Sequence, residues 1–139
     1  MTIRTLLVDD SPTLLMAVRQ FLSTLPGVDV CGEAHDGREG LAMAARLKPD
    51  LILLDITMPV MNGLDMARAL QTWPEAPHVV FLSIQDGAAY SAIAHKLGAL
   101  ALVRKSDLVE GLPPIIQGLL ATDRKLNTAP AESNPFTSN

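Results

Sequence analysis

The sequence predicts an α/β fold: a five-stranded parallel sheet with five helices on both faces. Three observations predict it. Short apolar, β-branched runs alternate along the chain with longer stretches whose apolar residues recur at helical spacing. The short runs are apolar throughout instead of alternating, which fits strands buried on both faces. Parallel strands need crossover connections, and the helical stretches between them supply these, in the right-handed sense that such crossovers take.

Taken in order, Ile3 to Val8 is the first strand, and it ends in Asp9-Asp10. Ser11-Pro12 follows, where Asp10 or Ser11 can cap a helix and Pro12 can take its first position. Leu15, Val18, Leu22 and Leu25 form the apolar stripe of that helix, widened by Leu14 and Phe21, and Pro26-Gly27 stops it. Val28 to Gly32 is a second short strand and Asp36-Gly37 a turn. Leu41, Ala44, Ala45 and Leu47 make the next helical face, which Lys48-Pro49 ends. The third strand is Leu51-Ile52-Leu53-Leu54-Asp55, four apolar residues that end on a carboxylate. A loop signal follows at once, Met58-Pro59 and then Asn62-Gly63.

Leu64, Ala67 and Leu70 mark a third helix, closed by Trp73-Pro74, with Trp73 packing at the helix end. Val79 to Ser83 is a fourth buried strand, and Gln85-Asp86-Gly87 is loop. Ala88 to Leu97 is a fourth helix dominated by alanine, and Gly98 suits the left-handed position past its end. Leu100 to Val103 is the fifth strand and leads to Arg104-Lys105. The last helix falls within Asp107 to Leu120. Pro113 and Pro114 stand where it needs backbone donors, which predicts one turn up to Gly111 and a fresh start at Pro113. Beyond Thr122 the periodicity ends. Residues 1–121 therefore read as one folded domain and 122–139 as a flexible linker or tail.

Composition narrows the function classes. Hydrophobic residues are 48% of the chain, enough for a core, and aromatics only 4%, so the core is aliphatic. The formal net charge is -4, and Lys/Arg pairs occur only at Arg104-Lys105 and Arg124-Lys125, which argues against direct nucleic-acid binding by this segment. The single cysteine, Cys31, cannot form an internal disulfide and reads as a buried core thiol. No apolar run reaches membrane-spanning length, and Met1-Thr2-Ile3-Arg4 leads straight into strand pattern without a secretory signal. These features fit a cytoplasmic location. His35, His78 and His95 lie in different elements, without metal-ligand spacing, as surface or strand-end residues.

The chemistry collects at strand ends. The first strand delivers Asp9 and Asp10, the third Asp55, the fourth Ser83 and the fifth Lys105. In a parallel sheet these carboxyl ends lie along one edge, where open α/β sheets bind ligands. Taken singly, Asp55 could cap a turn, Asp9-Asp10 could be helix-capping acids, Ser83 could bond its own backbone and Lys105 could be a solvated surface residue. Together they form a set with one sense. Crowded carboxylates repel, and a divalent cation relieves this. Oxygen donors without Cys or His select magnesium or manganese over zinc. A cation, a lysine and a hydroxyl around one carboxylate suit phosphoryl transfer, with Asp55 as the nucleophile that forms an acyl phosphate.

These residues resemble the receiver domain of two-component response regulators. The resemblance covers about Ile3 to Leu120 and rests on Asp9-Asp10, on Asp55-x-x-x-Pro59-x-x-x-Gly63, on Ser83 and on Lys105. Gly32-Glu33-Ala34 with Asp36-Gly37, and Lys105-Ser106, look most like the NarL/FixJ (LuxR-type) branch. It implies a flavodoxin-like strand order 2-1-3-4-5. It implies that Asp55 accepts a phosphoryl group from a sensor histidine kinase or phosphotransfer protein. Asp10, Asp55 and the backbone carbonyl of Thr57 then hold Mg2+ (Mn2+ could substitute), with Asp9 acting largely through water. Ser83 and Lys105 bind the phosphoryl oxygens, and the side chains of Thr57 and Gln85 tune dephosphorylation. On this reading the chain is no enzyme beyond its own phosphoryl transfer and autodephosphorylation.

Two departures stand out. The family usually has an aromatic switch residue three before the lysine, where this chain has Leu102. The prolines Pro113 and Pro114 lie in the helix that many receivers use to form homodimers. The resemblance further implies relay to a partner or to an output domain beyond this segment, DNA-binding in the NarL/FixJ branch, with a stand-alone receiver and a flexible tail as the alternative. Two other functions compete: a degenerate receiver that acts as a phosphorylation-independent interaction module, and a metal-dependent phosphohydrolase. The first usually lacks an acidic, hydroxyl or lysine position, and none is lost here. The second would carry a D-x-D pair after the first strand, where this chain has adjacent Asp9-Asp10.

Overall fold

The computed structural model describes residues 2–84 and 88–128. The elements run β1 (Ile3–Val8), α1 (Pro12–Leu22), β2 (Val28–Ala34), α2 (Gly37–Leu47), β3 (Leu51–Asp55), α3 (Gly63–Gln71), β4 (His78–Ser83), α4 (Ala88–Lys96), β5 (Ala101–Arg104) and α5 (Leu108–Thr128), with a single 3-10 turn at Lys105–Asp107 before α5. The strands form one parallel sheet in the order β2-β1-β3-β4-β5.

Side chains alternate along each strand, so the sheet has a core on each face. Leu6, Val8, Ile52, Leu54, Val79 and Phe81 pack on one face with Ala44 of α2 and with Met66, Ala67 and Leu70 of α3. Ile3, Leu7, Leu51, Leu53, Val80, Leu82 and Val103 pack on the other with Leu15, Val18 and Leu22 of α1 and with Leu112 and Ile116 of α5. The central strand β3 is buried at all five positions, and this accounts for the unbroken apolar run that precedes Asp55. Ser11 caps α1, its hydroxyl accepting from the Leu14 N–H at 3.2 Å, and Pro12 takes the first helical position.

Three sequence expectations are corrected. The last helix does not restart at Pro113, because α5 is continuous through Pro113 and Pro114. The prolines free the carbonyls of Val109 and Glu110, and both residues are exposed, so water can take the lost bonds. Leu112 and Ile116, 0% and 3% exposed on either side of the prolines, hold the helix against the sheet. The helix also runs on to Thr128, past the composition change after Thr122. Cys31 is only partly buried. Strand β2 extends to Ala34, and the β1–β2 register shifts where Thr5 faces Val30 and Leu6 faces Gly32, which leaves Cys31 in a bulge. The core reaches it from one side only, and that burial raises its thiol pKa.

Trp73 packs, partly buried, against the core at the end of α3, as the sequence predicts. His35, His78 and His95 are exposed.

The exposed Pro114 lies past the first turn of α5, where a proline costs the helix a hydrogen bond. Replacing Pro114→Ala should therefore stabilise the domain by about 1–2 kcal/mol in chemical denaturation. A loss of stability would show that the proline is needed where it stands.

Candidate functional site

The carboxyl ends of β1, β3, β4 and β5 bring the sequence-selected residues to one edge. Asp9 follows β1 and is 2% exposed, Asp55 ends β3 at 4% and Ser83 ends β4 at 4%. Asp10 is exposed. Lys105 follows β5, and its side chain is 17% exposed. Its Nζ lies 3.0 Å from Asp9 Oδ2 and 3.2 Å from Asp55 Oδ1. One ammonium thus bridges two buried carboxylates that come from strands far apart in sequence.

The two acids are held by different bonds. Asp9 Oδ1 accepts the Ser11 N–H at 2.9 Å, which ties it to the start of α1. Its Oδ2 is buried, and among the described residues no well-angled donor reaches it; the Lys105 contact there is electrostatic. The Thr57 N–H lies 3.4 Å from Asp55 Oδ1, a long bond. Ser83 sits beside Leu82, the β4 residue that faces Asp55 across the ladder.

Burial, and next the charge of Asp9, push the Asp55 carboxyl up to about 6, while Lys105 pulls the other way without cancelling them. Burial works against the Lys105 charge too, but its contacts with Asp9 and Asp55 outweigh it, and its pKa is raised. Asp9, Asp10 and Asp55 each offer an oxygen, and these lie within 4.8 Å of one another. Three carboxylates against one ammonium leave the cluster formally doubly negative. The buried oxygen of Asp9 and the exposed Asp10 complete an all-oxygen donor set that fits a small, hard divalent cation.

The loop after Asp55 is shaped by close backbone contacts. The Gly63 N–H donates to the Ile56 carbonyl at 2.8 Å, and a Cβ on Gly63 would stand 2.0 Å from the Asp55 carbonyl oxygen. Only glycine allows this approach, which gives the Asp55-to-Gly63 spacing a physical reason. Thr57 is exposed in this loop. Leu102 lies in β5 opposite Phe81 and packs, partly buried, into the core on the α2–α3 face. Gln85 lies outside the described residues.

Sequence reasoning passed over Val60, whose φ is +69°. Pro-Val-Met carries no residue suited to that conformation, so no local signal marks it. A cavity of about 820 Å3 opens at the opposite, amino-terminal edge of the sheet, lined in part by Ala44, Trp73, Pro77 and Leu119. It is remote from the acidic cluster.

The fold and the acidic edge define a class, an α/β signalling domain, and comparison with known proteins gives its family. The model of the response regulator receiver domain matches residues 5–112, and the chain belongs to that family. Receiver domains of this family work as phosphorylation switches and bind Mg2+ through an acidic pocket.

Within the family, the chain is similar to receivers of two kinds. It is 33% identical over 134 residues to protein-glutamate methylesterase/protein-glutamine glutaminase 1 of Methanosarcina mazei, covering 96% of this chain and 36% of that protein. It is 35% identical over 132 residues to the nitrate/nitrite response regulator protein NarL of Escherichia coli, covering 92% of this chain and 61% of that one. A two-component response regulator of the LuxR family from an Aurantimonas species superposes with a TM-score of 0.81 at 30% identity, over 88% of this chain and 87% of that chain. The chain spans about a third of the length of the methylesterases it matches.

Two outcomes follow from this geometry. The folded protein binds the Asp55 proton more tightly than the unfolded chain does. In cation-free buffer, Asp55 thus lowers stability as pH rises from its ordinary 3.8 through about 6. Asp55→Asn should remove that fall and be more stable than the parent protein by about 1–2 kcal/mol at pH 7, with little difference at pH 3.5. Equal stability at both pH values would contradict the burial of that charge. Gly63→Ala should destabilise the domain by about 3 kcal/mol or more, because the clash is with backbone; a change below about 1 kcal/mol in denaturant melts would contradict the close approach.

Proposed function

We propose that the chain is a phosphorylation-dependent switch in which Asp55 accepts a phosphoryl group from a sensor histidine kinase or phosphotransfer protein. The observation that carries this reading is the Lys105 ammonium, bridging buried Asp9 and Asp55 beside Ser83. An oxygen of Asp55 attacks phosphorus, the bond from phosphorus to the donor's imidazole nitrogen breaks, and an acyl phosphate forms. Lys105 turns from the free carboxylate toward the arriving phosphoryl oxygens and balances their charge, and the Ser83 hydroxyl donates to one of them. Asp9, Asp10, Asp55 and the Thr57 carbonyl are the groups that would hold Mg2+, with Mn2+ as a substitute. When bound, the cation neutralises the acidic cluster and the transferred group. Thr57, exposed in the loop after the acceptor, tunes the return hydrolysis together with Gln85, as the family resemblance implies.

Leu102 fills core space without a ring or hydroxyl, so the change of state is reported mainly by loop order around the acceptor. The chain's own chemistry is limited to its phosphorylation and autodephosphorylation. The state passes to a region beyond the receiver or to a second copy of the chain. Residues 1–121 form the receiver, and its last helix continues past that boundary to Thr128. Similarity to NarL and LuxR-family regulators favours a DNA-binding output that controls transcription in the cytoplasm. Similarity to the methylesterases favours an enzymatic output as the second reading. Among the described residues no helix is long and apolar enough to cross a membrane.

Incubation with Mg2+ and acetyl phosphate should add the mass of one phosphoryl group, with slow decay. Asp55→Asn should abolish the gain, and Lys105→Ala should slow it on the order of 10²-fold. No gain in the parent protein would establish the interaction module instead, and rapid multiple turnover would establish a hydrolase.

A further inference from the structure

The loop between β3 and α3 closes on itself. The Gly63 N–H returns to the Ile56 carbonyl at 2.8 Å, so the chain from Ile56 to Gly63 forms a ring. Met58 anchors the ring from inside, 7% exposed in the core. The Met61 carbonyl anchors it from outside by accepting the Gly37 N–H at 2.9 Å, and a Cβ on Gly37 would stand 2.5 Å from that same oxygen. Between these anchors the chain reverses in three residues. The Met61 N–H donates to the Pro59 carbonyl at 2.7 Å, with Val60 in the middle at φ +69°. That is a γ-turn of the rare, strained hand. A β-branched residue is badly suited to it. Val60 is 75% exposed, so packing of its side chain does not offset the strain. The ring closure and the two anchors hold it.

The same ring contains Thr57, whose N–H stands 3.4 Å from Asp55 Oδ1. We propose that Val60 is a positioning residue: its strained turn raises the energy of the free loop and biases Thr57 toward the arrangement that receives a divalent cation. This rests on the reading of Asp9, Asp10, Asp55 and the Thr57 carbonyl as the cation site. Asparagine tolerates a positive φ far better than valine, so Val60→Asn relieves the strain. Threonine is β-branched like valine and nearly isosteric with it, so Val60→Thr keeps the strain.

The test titrates the three full-length proteins with MgCl2 and records the thermal midpoint without cation and the Mg2+ dissociation constant. Val60→Asn should raise the cation-free midpoint by a few degrees and weaken Mg2+ binding roughly fivefold, while Val60→Thr matches the parent in both. An unchanged or lower midpoint in Val60→Asn would mean that the turn is not strained. A raised midpoint with unchanged Mg2+ affinity would mean that the strain does not reach the site. Either result overturns the proposal while leaving the cation site in place. If the parent protein binds no Mg2+ at all, the site reading falls and this proposal with it.

Discussion

Two carboxylates, 2% and 4% exposed, share one lysine at the edge of a parallel sheet. Charges held this dry are costly, and one ammonium cannot neutralise two acids with a third beside them. The domain tolerates the arrangement because the strands that carry it are anchored in apolar packing on both faces. The β3 run is buried from Leu51 onward, so Asp55 cannot retreat into solvent without dragging the central strand. The outcome is a site whose cheapest relief is a ligand: a proton, a cation, or a cation with a phosphoryl group. Such an imbalance is the physical basis on which the proposed switch rests, because a bound cation would relieve it.

The helix starts around this edge serve the same end. Ser11 caps α1 while its N–H fixes Asp9. Asn62 caps α3 next to Gly63, whose missing side chain lets the loop fold back on the Asp55 backbone. Gly37, at the start of α2, bonds the Met61 carbonyl. Asp9, Asp55, Ser83 and Lys105 are thus placed by strand ends, and the loops after β1 and β3 are tied down by helix starts. The core on the α1–α5 face survives two consecutive prolines because the carbonyls they free belong to exposed residues.

Much of this was legible in the sequence, and for a physical reason. In a parallel sheet all strands end at the same edge, so reading the residue after each apolar run also reads the site. Asp9, Asp55, Ser83 and Lys105 emerged in that way. The unequal burial of adjacent Asp9 and Asp10 did not, since which of two neighbours turns inward depends on the exact strand end. The continuity of α5 was hidden because the carbonyls that the prolines free belong to residues whose exposure is set by how the helix packs on the sheet. The Cys31 bulge and the Val60 turn were hidden because both arise from long-range constraints, the β1–β2 register and the Ile56–Gly63 ring. Shape alone would have misdirected: the cavity beside Trp73 lies at the wrong edge of the sheet and lacks the acidic cluster.

On the proposed function, the acyl phosphate forms on Asp55 and on no other acid of the cluster. Borohydride reduces an acyl phosphate and leaves homoserine in place of the aspartate. Peptide mapping of the phosphorylated protein after that treatment should find homoserine at position 55 alone. Homoserine at position 9 or 10, or a phosphoryl group that resists reduction and maps elsewhere, would contradict the account.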